Sequence, residues 1–274
     1  MKASLRIVLN ILPDMFACRI VDLKYSLIKL RNAIGFPIFL IRNLNKERFT
    51  CPLCGYCGPF KDTNPSGRGL RKHAKCPKCD AAERHRLEYL IVNNLLNEID
   101  SSVLKMVHFS PERCLKEFFV RRFGKYDTAD LNMRCVDYRR VDLTKLPFAD
   151  QTYDFVFVSS VLEYISDDEK AISEIRRILK PRGIAILNVP IIAEKTVEYP
   201  EPNAWHVRWA AGLDYFDRCN RYFSRVDKVS SDSFPSKYQL FIYENRTQGP
   251  AKEYALPLSI RGEKRIEVVA VCHV

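Results

Sequence analysis

Glycine is scarce in this chain, ten residues in 274, and none lies between Gly69 and Gly124. That stretch therefore has no loop whose backbone can approach a ligand closely by omitting a side chain. Long apolar runs are missing too. The N-terminal runs Ile7–Leu9, Ile11–Leu12 and Ile38–Ile41 are cut by Arg6, Asn10, Asp14, Arg19, Asp22 and Lys24. No span of about 18 apolar residues suits a transmembrane helix, and the broken apolar stretch with no small-residue cleavage site excludes a secretory signal. No repeat is visible. Past residue 86 there is no charge excess either: 27 basic side chains face 27 acidic ones, whereas residues 1–86 hold 17 basic and 6 acidic. The formal charge of +11 thus belongs to the first third. This excludes a uniformly basic nucleic-acid coat and leaves a neutral body with a basic front end.

What is present is a core-forming composition, 47% hydrophobic and 28% charged, of a length for one large domain with a smaller attachment. Residues 1–48 carry nine basic and three acidic side chains among many Leu and Ile, the composition of a basic amphipathic helical segment. Such a segment either packs on the main domain or docks on a partner or membrane surface.

Five of the ten cysteines fall within 29 residues, unlike a secreted disulfide framework, and point to a metal site in a reducing, cytoplasmic setting. Cys51-Pro-Leu-Cys54 and Cys76-Pro-Lys-Cys79 form two C-x2-C knuckles separated by 21 residues. Each aims two thiolates at one centre, and the pair completes a closed, structural Zn²⁺ tetrahedron without an open catalytic position. Cys57 allows the alternative register Cys54 with Cys57, and His73 is a further nearby ligand type. Arg68, Arg71, Lys72 and Lys75 between the knuckles either touch phosphates or offset the negative centre.

Asp62–Gly69 and Glu244–Glu253 read as loops. Between them helix and strand alternate. Asp80–Ile99 reads as an amphipathic helix opened by a capping box of Asp80 and Glu83. Strands follow at Val103–Phe109, Tyr126–Leu131, Phe155–Ser159 and Ile184–Val189, with helices at Pro111–Phe123 and Asp167–Leu179. A helical stretch at Asn203–Phe223 precedes two β segments that read as a closing hairpin-like pair, Tyr238–Tyr243 and Arg265–Val274. The expectation is an α/β, Rossmann-like, mostly parallel sheet with an antiparallel last strand. It would occupy residues 81–274, behind a zinc knuckle or ribbon module at 49–80 and the helical segment 1–48.

The text Val141-Asp142-Leu143-Thr144-Lys145-Leu146-Pro147-Phe148, then Tyr153-Asp154-Phe155 through Val161-Leu162-Glu163-Tyr164, then Ile178-Leu179-Lys180-Pro181-Arg182-Gly183, resembles the class I S-adenosylmethionine-dependent methyltransferases. The likeness covers about ninety residues in the right order. It extends to a subgroup with a Cys-rich N-terminal segment ending in Arg-His-Arg, here Arg84, His85 and Arg86. In that subgroup the cofactor loop reads like His108 to Glu112. The glycine-rich loop of ordinary members is absent: Phe109, Ser110, Pro111 and Glu112 stand in its place. Ser110 reads as an N-cap with Pro111 at the first helical position.

The resemblance implies S-adenosylmethionine as cofactor. Ligands of such sheets sit at the carboxyl ends of the strands. Asp130, followed by Leu131, would accept the ribose hydroxyls, and Asp142 with Leu143 would hold the adenine. Ser159, Ser160 and Val161 would close the next strand end. Glu112 would pair the cofactor's ammonium group, with His108 where most relatives are acidic. Candidate proton acceptors are His108, Glu163 and His206. Tyr164, His206, Arg208, Asp214 and Tyr215 are candidate acceptor contacts, the last four in the insertion that usually covers the acceptor pocket. Three functional classes stay open: methyl transfer to a small-molecule or sugar-like acceptor, methyl transfer to RNA docked by the basic N-terminal third, and a non-catalytic zinc-bearing binding protein on a degenerate scaffold.

Overall fold

A computed structural model describes residues 34–63, 70–133, 135–201, 206–245 and 264–274, with positions 23 and 30 besides. Most of the expected 1–48 segment lies outside these. Within it residues 34–42 are helical. Phe36 and Leu40 pack against the small core of Phe49, Tyr56 and Phe60, while Ile34, Ile38 and Ile41 are exposed.

The cysteine module follows. Strands β1 (Phe49–Thr50) and β2 (Cys57–Gly58) pair around the first knuckle. β3 (Lys61–Thr63) and β4 (Leu70–Lys75) lead to the second. The two knuckles repeat one backbone pattern. Cys51 N–H donates to the Tyr56 carbonyl and Gly55 N–H to the Cys51 carbonyl, as Cys76 N–H does to Ala81 and Asp80 N–H to Cys76. The residue four past each leading cysteine is left-handed, Gly55 at φ 69° and Asp80 at φ 62°. Asp80 is therefore a knuckle residue, held by Lys75 at 2.8 Å, and not the expected helix cap. Helix α1 (Glu83–Leu96) starts instead at Ala82, whose N–H donates to His85 Nδ1 at 3.1 Å.

The large sheet then assembles. β5 (Lys105–Phe109) leads to α2 (Arg113–Arg122), β6 (Lys125–Asp130), β7 (Tyr138–Arg139), β8 (Tyr153–Ser159), α3 (Asp168–Ile178) and β9 (Leu179–Asn188). After the small hairpin β10 (Val197–Glu198) and β11 (Trp209–Ala210) comes a 3-10 helix, Leu213–Arg221. β12 (Arg225–Ser230), β13 (Ile242–Asn245), β14 (Lys264–Arg265) and β15 (Val268–His273) complete the chain. The seven-stranded order is β12-β15-β9-β8-β5-β6-β7. β5 to β9 run parallel, whereas β15 is antiparallel to both β9 and β12.

Alternation along the strands sorts the core into two layers. Val107, Val156, Val158, Ala185 and Leu187 meet Ala171, Ile172 and Ile175 of α3 on one face. Met106, Phe155, Phe157 and Ile186 meet Leu87, Leu90 and Ile91 of α1 and Leu115 and Phe119 of α2 on the other. Each such side chain contributes roughly 1.5–3 kcal/mol by leaving water. α3 is capped by Asp167, which accepts from Lys170 N–H at 3.0 Å, and has Arg176 and Arg177 in its last turn, complementing the helix dipole.

Three expectations need correction. Tyr238–Tyr243 is not the partner of the last strand. Arg225–Ser230 takes that place, and β13 instead pairs with β4, so the four-stranded sheet β14-β13-β4-β3 joins the chain's end to the cysteine module across the boundary expected at residue 80. Asn203–Phe223 is not one helix: residues 203–205 lie outside the described ones, and the rest is a short strand and a 3-10 helix. Ser110 is not an N-cap; α2 begins after Glu112.

Arg86 joins the two parts. Fully buried, its guanidinium donates to the carbonyls of Ala74 and Ala81 in the module and of Tyr238 and Gln239 in the turn before β13, and it lies over the Phe60 ring at 4.5 Å. Arg86→Met should remove the side-chain donor from the buried Ala74 and Gln239 carbonyls and lower stability by about 3 kcal/mol, with Arg86→Lys only partly restoring it. Thermal melts of the three proteins check this; equal melting temperatures would remove Arg86 from its joining role.

Candidate cofactor site and cysteine cluster

The parallel strands turn away on either side of the junction between β5 and β8, and this is where such a sheet opens a crevice. Both strand ends leave through a left-handed serine, Ser110 at φ 51° and Ser160 at φ 53°. Their N–H groups donate to Ala129 and Asn188 carbonyls, both at 2.9 Å. The turn that glycine makes cheaply is thus made without it, at a cost of about 1 kcal/mol per residue.

The expected cofactor residues form a row along this edge. Ser159 and Ser160 end β8, Phe109 to Glu112 follow β5, Asp130 ends β6, and Asp142 follows β7. At about 4.8 Å per strand the row spans roughly 14 Å. Asp130 Oδ1 accepts the N–H groups of Asn132 and Met133, both at 2.6 Å, and Asp142 Oδ1 accepts the N–H and hydroxyl of Thr144, both at 2.8 Å. Leu131 is exposed and Leu143 buried.

His108 is fully buried among Phe119, Tyr126 and Phe157. Its Nδ1 lies 3.0 Å from the Tyr126 hydroxyl and its Nε2 2.8 Å from Glu112. This is a histidine that orients a carboxylate rather than one open to an acceptor. Burial pushes the Glu112 carboxyl up, but the hydrogen bond and charge of His108, with His85 and Arg84, outweigh it and hold the group down at about 2.

Sequence reasoning missed what α1 brings to the same place. Arg84 reaches Glu112 at 3.5 Å, His85 stands 3.9 Å from it, and Glu88 Oε1 accepts from the Ser159 hydroxyl. Four carboxylates, Glu88, Glu112, Glu267 and Glu163, act on the one Arg84 guanidinium. Burial raises Glu88, Glu267 and Glu163, the last to about 8, and depresses His85 to about 3. Arg84 Nε, His85 Nε2, Glu88 Oε2, Ser160 Oγ and Glu163 Oε2 are buried without a hydrogen-bond partner. Such atoms cost roughly 1–3 kcal/mol each unless a ligand meets them. The Arg-His-Arg run was the available signal, but it named no partner.

In the expected acceptor region, Arg208 N–H donates to the Glu163 carbonyl at 2.7 Å, laying residues 206–208 beside the turn at Leu162–Tyr164. His206 is exposed at φ 59°, and Tyr164 is half exposed. The other three candidates each contact the chain itself. The Arg208 guanidinium holds the Pro200 carbonyl and Glu198, Asp214 holds Thr196, and Tyr215 is wholly buried against Phe216 with Arg218 over its ring.

The sulfurs of Cys51, Cys54, Cys76 and Cys79 lie within 4.8 Å of one another, Cys51 to Cys79 at 3.5 Å and Cys54 to Cys76 at 3.6 Å. A disulfide needs about 2.05 Å; a tetrahedral ion with ligands at about 2.3 Å sets sulfurs about 3.8 Å apart. The cluster fits the ion. Cys57 stays exposed, 3.9 Å from Thr50 Oγ1, and His73 packs on Phe49, so neither joins the four.

Residues 116–187 match the methyltransferase domain family. A sterol 4-C-methyltransferase of Caenorhabditis elegans is 36% identical over 74 residues, 27% of this chain and 21% of that protein. A ubiquinone/menaquinone biosynthesis C-methyltransferase of Desulfotalea psychrophila is 32% identical over 65 residues, 24% of this chain and 26% of the relative. The matched segment thus spans a fifth to a quarter of these relatives. Among solved structures, an S-adenosylmethionine-dependent methyltransferase from Mesorhizobium loti covers 71% of this chain and 99% of its own at 14% identity and TM-score 0.44. The [4+2]-cyclase SpnF covers 86% and 93% at 16% identity and TM-score 0.46. The family match thus marks residues 116–187 as a methyltransferase-domain segment, set in the seven-stranded sheet described above.

Proposed function

We propose that the chain binds S-adenosylmethionine along the strand-end row and transfers its methyl group to a small-molecule acceptor above Ser159–Val161. The gathering of five orphaned buried polar atoms at that edge carries this reading, since a polar ligand there would meet them. The bound cofactor supplies a methyl group on a sulfonium, open to in-line displacement. The chain's own work is to hold the nucleoside through Asp130 and Asp142, to align the reactants and to exclude water. Glu163, buried and with a free carboxyl oxygen, is placed to take a proton from the acceptor. The sterol and quinone methyltransferases among the relatives favour a small acceptor over RNA. The four clustered thiolates would hold a structural Zn²⁺.

Calorimetry with S-adenosylhomocysteine should show binding, and Asp130→Ala or Asp142→Ala should each weaken it about tenfold, or 1.4 kcal/mol. No heat at millimolar ligand retires the enzyme reading. Elemental analysis should find one zinc per chain and none in Cys76→Ser, with a lower melting temperature for the variant; metal-free wild-type protein of unchanged stability would remove the zinc.

A carboxyl raised by folding binds more protons folded than unfolded, so its stability contribution is present below its unfolded pKa and lost as pH climbs toward 8. Glu163→Gln escapes that loss. Its melting temperature relative to wild type should rise between pH 5 and pH 8, at about 1.4 kcal/mol per pKa unit as an upper bound. A difference independent of pH would show that Glu163 titrates normally.

A further inference from the structure

A methyltransferase of this fold needs a grip on the amino-acid end of its cofactor, and the β5 loop has no glycine to let its backbone supply one. What the edge holds instead comes from α1, which lies outside residues 116–187. Its first two turns sit over the ends of β5 and β8, as the Arg84 to Glu112 and Glu88 to Ser159 contacts show. We infer that Arg84 and Glu88 of α1 are the binding residues for the methionine end of the cofactor, Arg84 taking its carboxylate and Glu88, with Glu112, its ammonium group.

Charge and valence support this assignment, which rests on the cofactor reading above. The ligand brings one carboxylate and two cationic centres, ammonium and sulfonium. The edge offers the Arg84 guanidinium with the Glu112 carboxylate 3.5 Å from it and the Glu88 carboxyl one helical turn away on Ser159, the inverse pattern. The guanidinium is unsaturated: Nε is buried without a partner, and its contact to Glu112 is long at 3.5 Å, so a carboxylate can enter the fork side-on. Glu88 is fully buried, with Oε1 on Ser159 and Oε2 on nothing. Emptied of ligand, that oxygen is a standing cost; an ammonium beside it removes the cost and favours the ionised carboxylate.

The same groups explain why α1 must be placed so firmly. Arg84 and Glu88 flank Arg86, whose hydrogen bonds fix the helix start to the cysteine module. Arg84 and Glu88, one turn apart, share a helix face.

Two probes separate the amino-acid end from the nucleoside: S-adenosylhomocysteine and 5′-methylthioadenosine, which lacks the amino and carboxyl groups. In calorimetry on the full chain, Arg84→Met should weaken S-adenosylhomocysteine at least tenfold and methylthioadenosine less than twofold. Glu88→Gln should show the same split, and Arg84→Lys an intermediate loss. Unchanged methylthioadenosine binding doubles as proof that each variant is folded. If wild type binds neither probe, the methyltransferase reading falls and this assignment with it. If it binds both, and the α1 variants weaken the two equally or not at all, the cofactor reading stands and this assignment is overturned.

Discussion

A single buried cation with no carboxylate hydrogen-bonded to it holds this molecule together. Arg86 donates to carbonyl oxygens alone, drawn from the second knuckle, the strand before it and the turn at Tyr238–Gln239. Burying a guanidinium is unfavourable unless its donors are met, and here peptide dipoles from three separate segments meet them in a fixed planar fork. Because the partners are backbone, the requirement falls on chain geometry: His73 and Gln239, beside those carbonyls, adopt left-handed φ of 53° and 49°. Gln239 returns the constraint by donating to the His73 and Phe241 carbonyls. The cysteine module, α1 and the 236–239 turn are therefore one mechanical unit.

That unit sets the electrostatics of the sheet edge. A crevice crowded with carboxylates in low dielectric is costly when empty, and the chain meets the cost by local neutralisation. His108 and Arg84 keep Glu112 ionised, while burial favours the protonated forms of Glu88 and Glu163. Such an edge would gain negative charge on meeting a cation, unlike a loop of glycines, which offers only N–H dipoles and space.

Local features of this design were legible in the sequence and distant ones were not. The two knuckles could be read because C-x2-C spacing and metal geometry are matters of a few residues, while the choice between them and the Cys54–Cys57 register stayed open in the sequence. The mostly parallel sheet with its antiparallel last strand followed from the alternation of helix and strand, and the strand-end positions of Asp130, Asp142 and Ser159 from the rule that such sheets open at strand ends. Arg86 could not be read, because its partners Tyr238 and Gln239 lie about 150 positions away. Asp80 misled because a left-handed aspartate in a knuckle and a helix N-cap look alike three residues before a glutamate. β12 was missed because Arg225–Ser230 is a half-exposed outer strand with charges among its few apolar residues, whereas Leu240–Ile242, apolar and buried, looked like sheet interior and serves the module instead.

The pairing of β13 with β4 gives the chain a delayed closure. The knuckle cysteines end at Cys79, yet the strand that completes their sheet begins at Ile242, so about 160 residues must be synthesised between the two. At 5–20 residues per second that is an interval of roughly 8–30 seconds during which the module's edge and the Arg86 donors stand open. Parallel strands β5 to β9, whose contacts are themselves non-local, form in that interval. The front of the molecule is thus finished last, with β4 and the Arg86 donors waiting for β13 and the turn at Tyr238–Gln239.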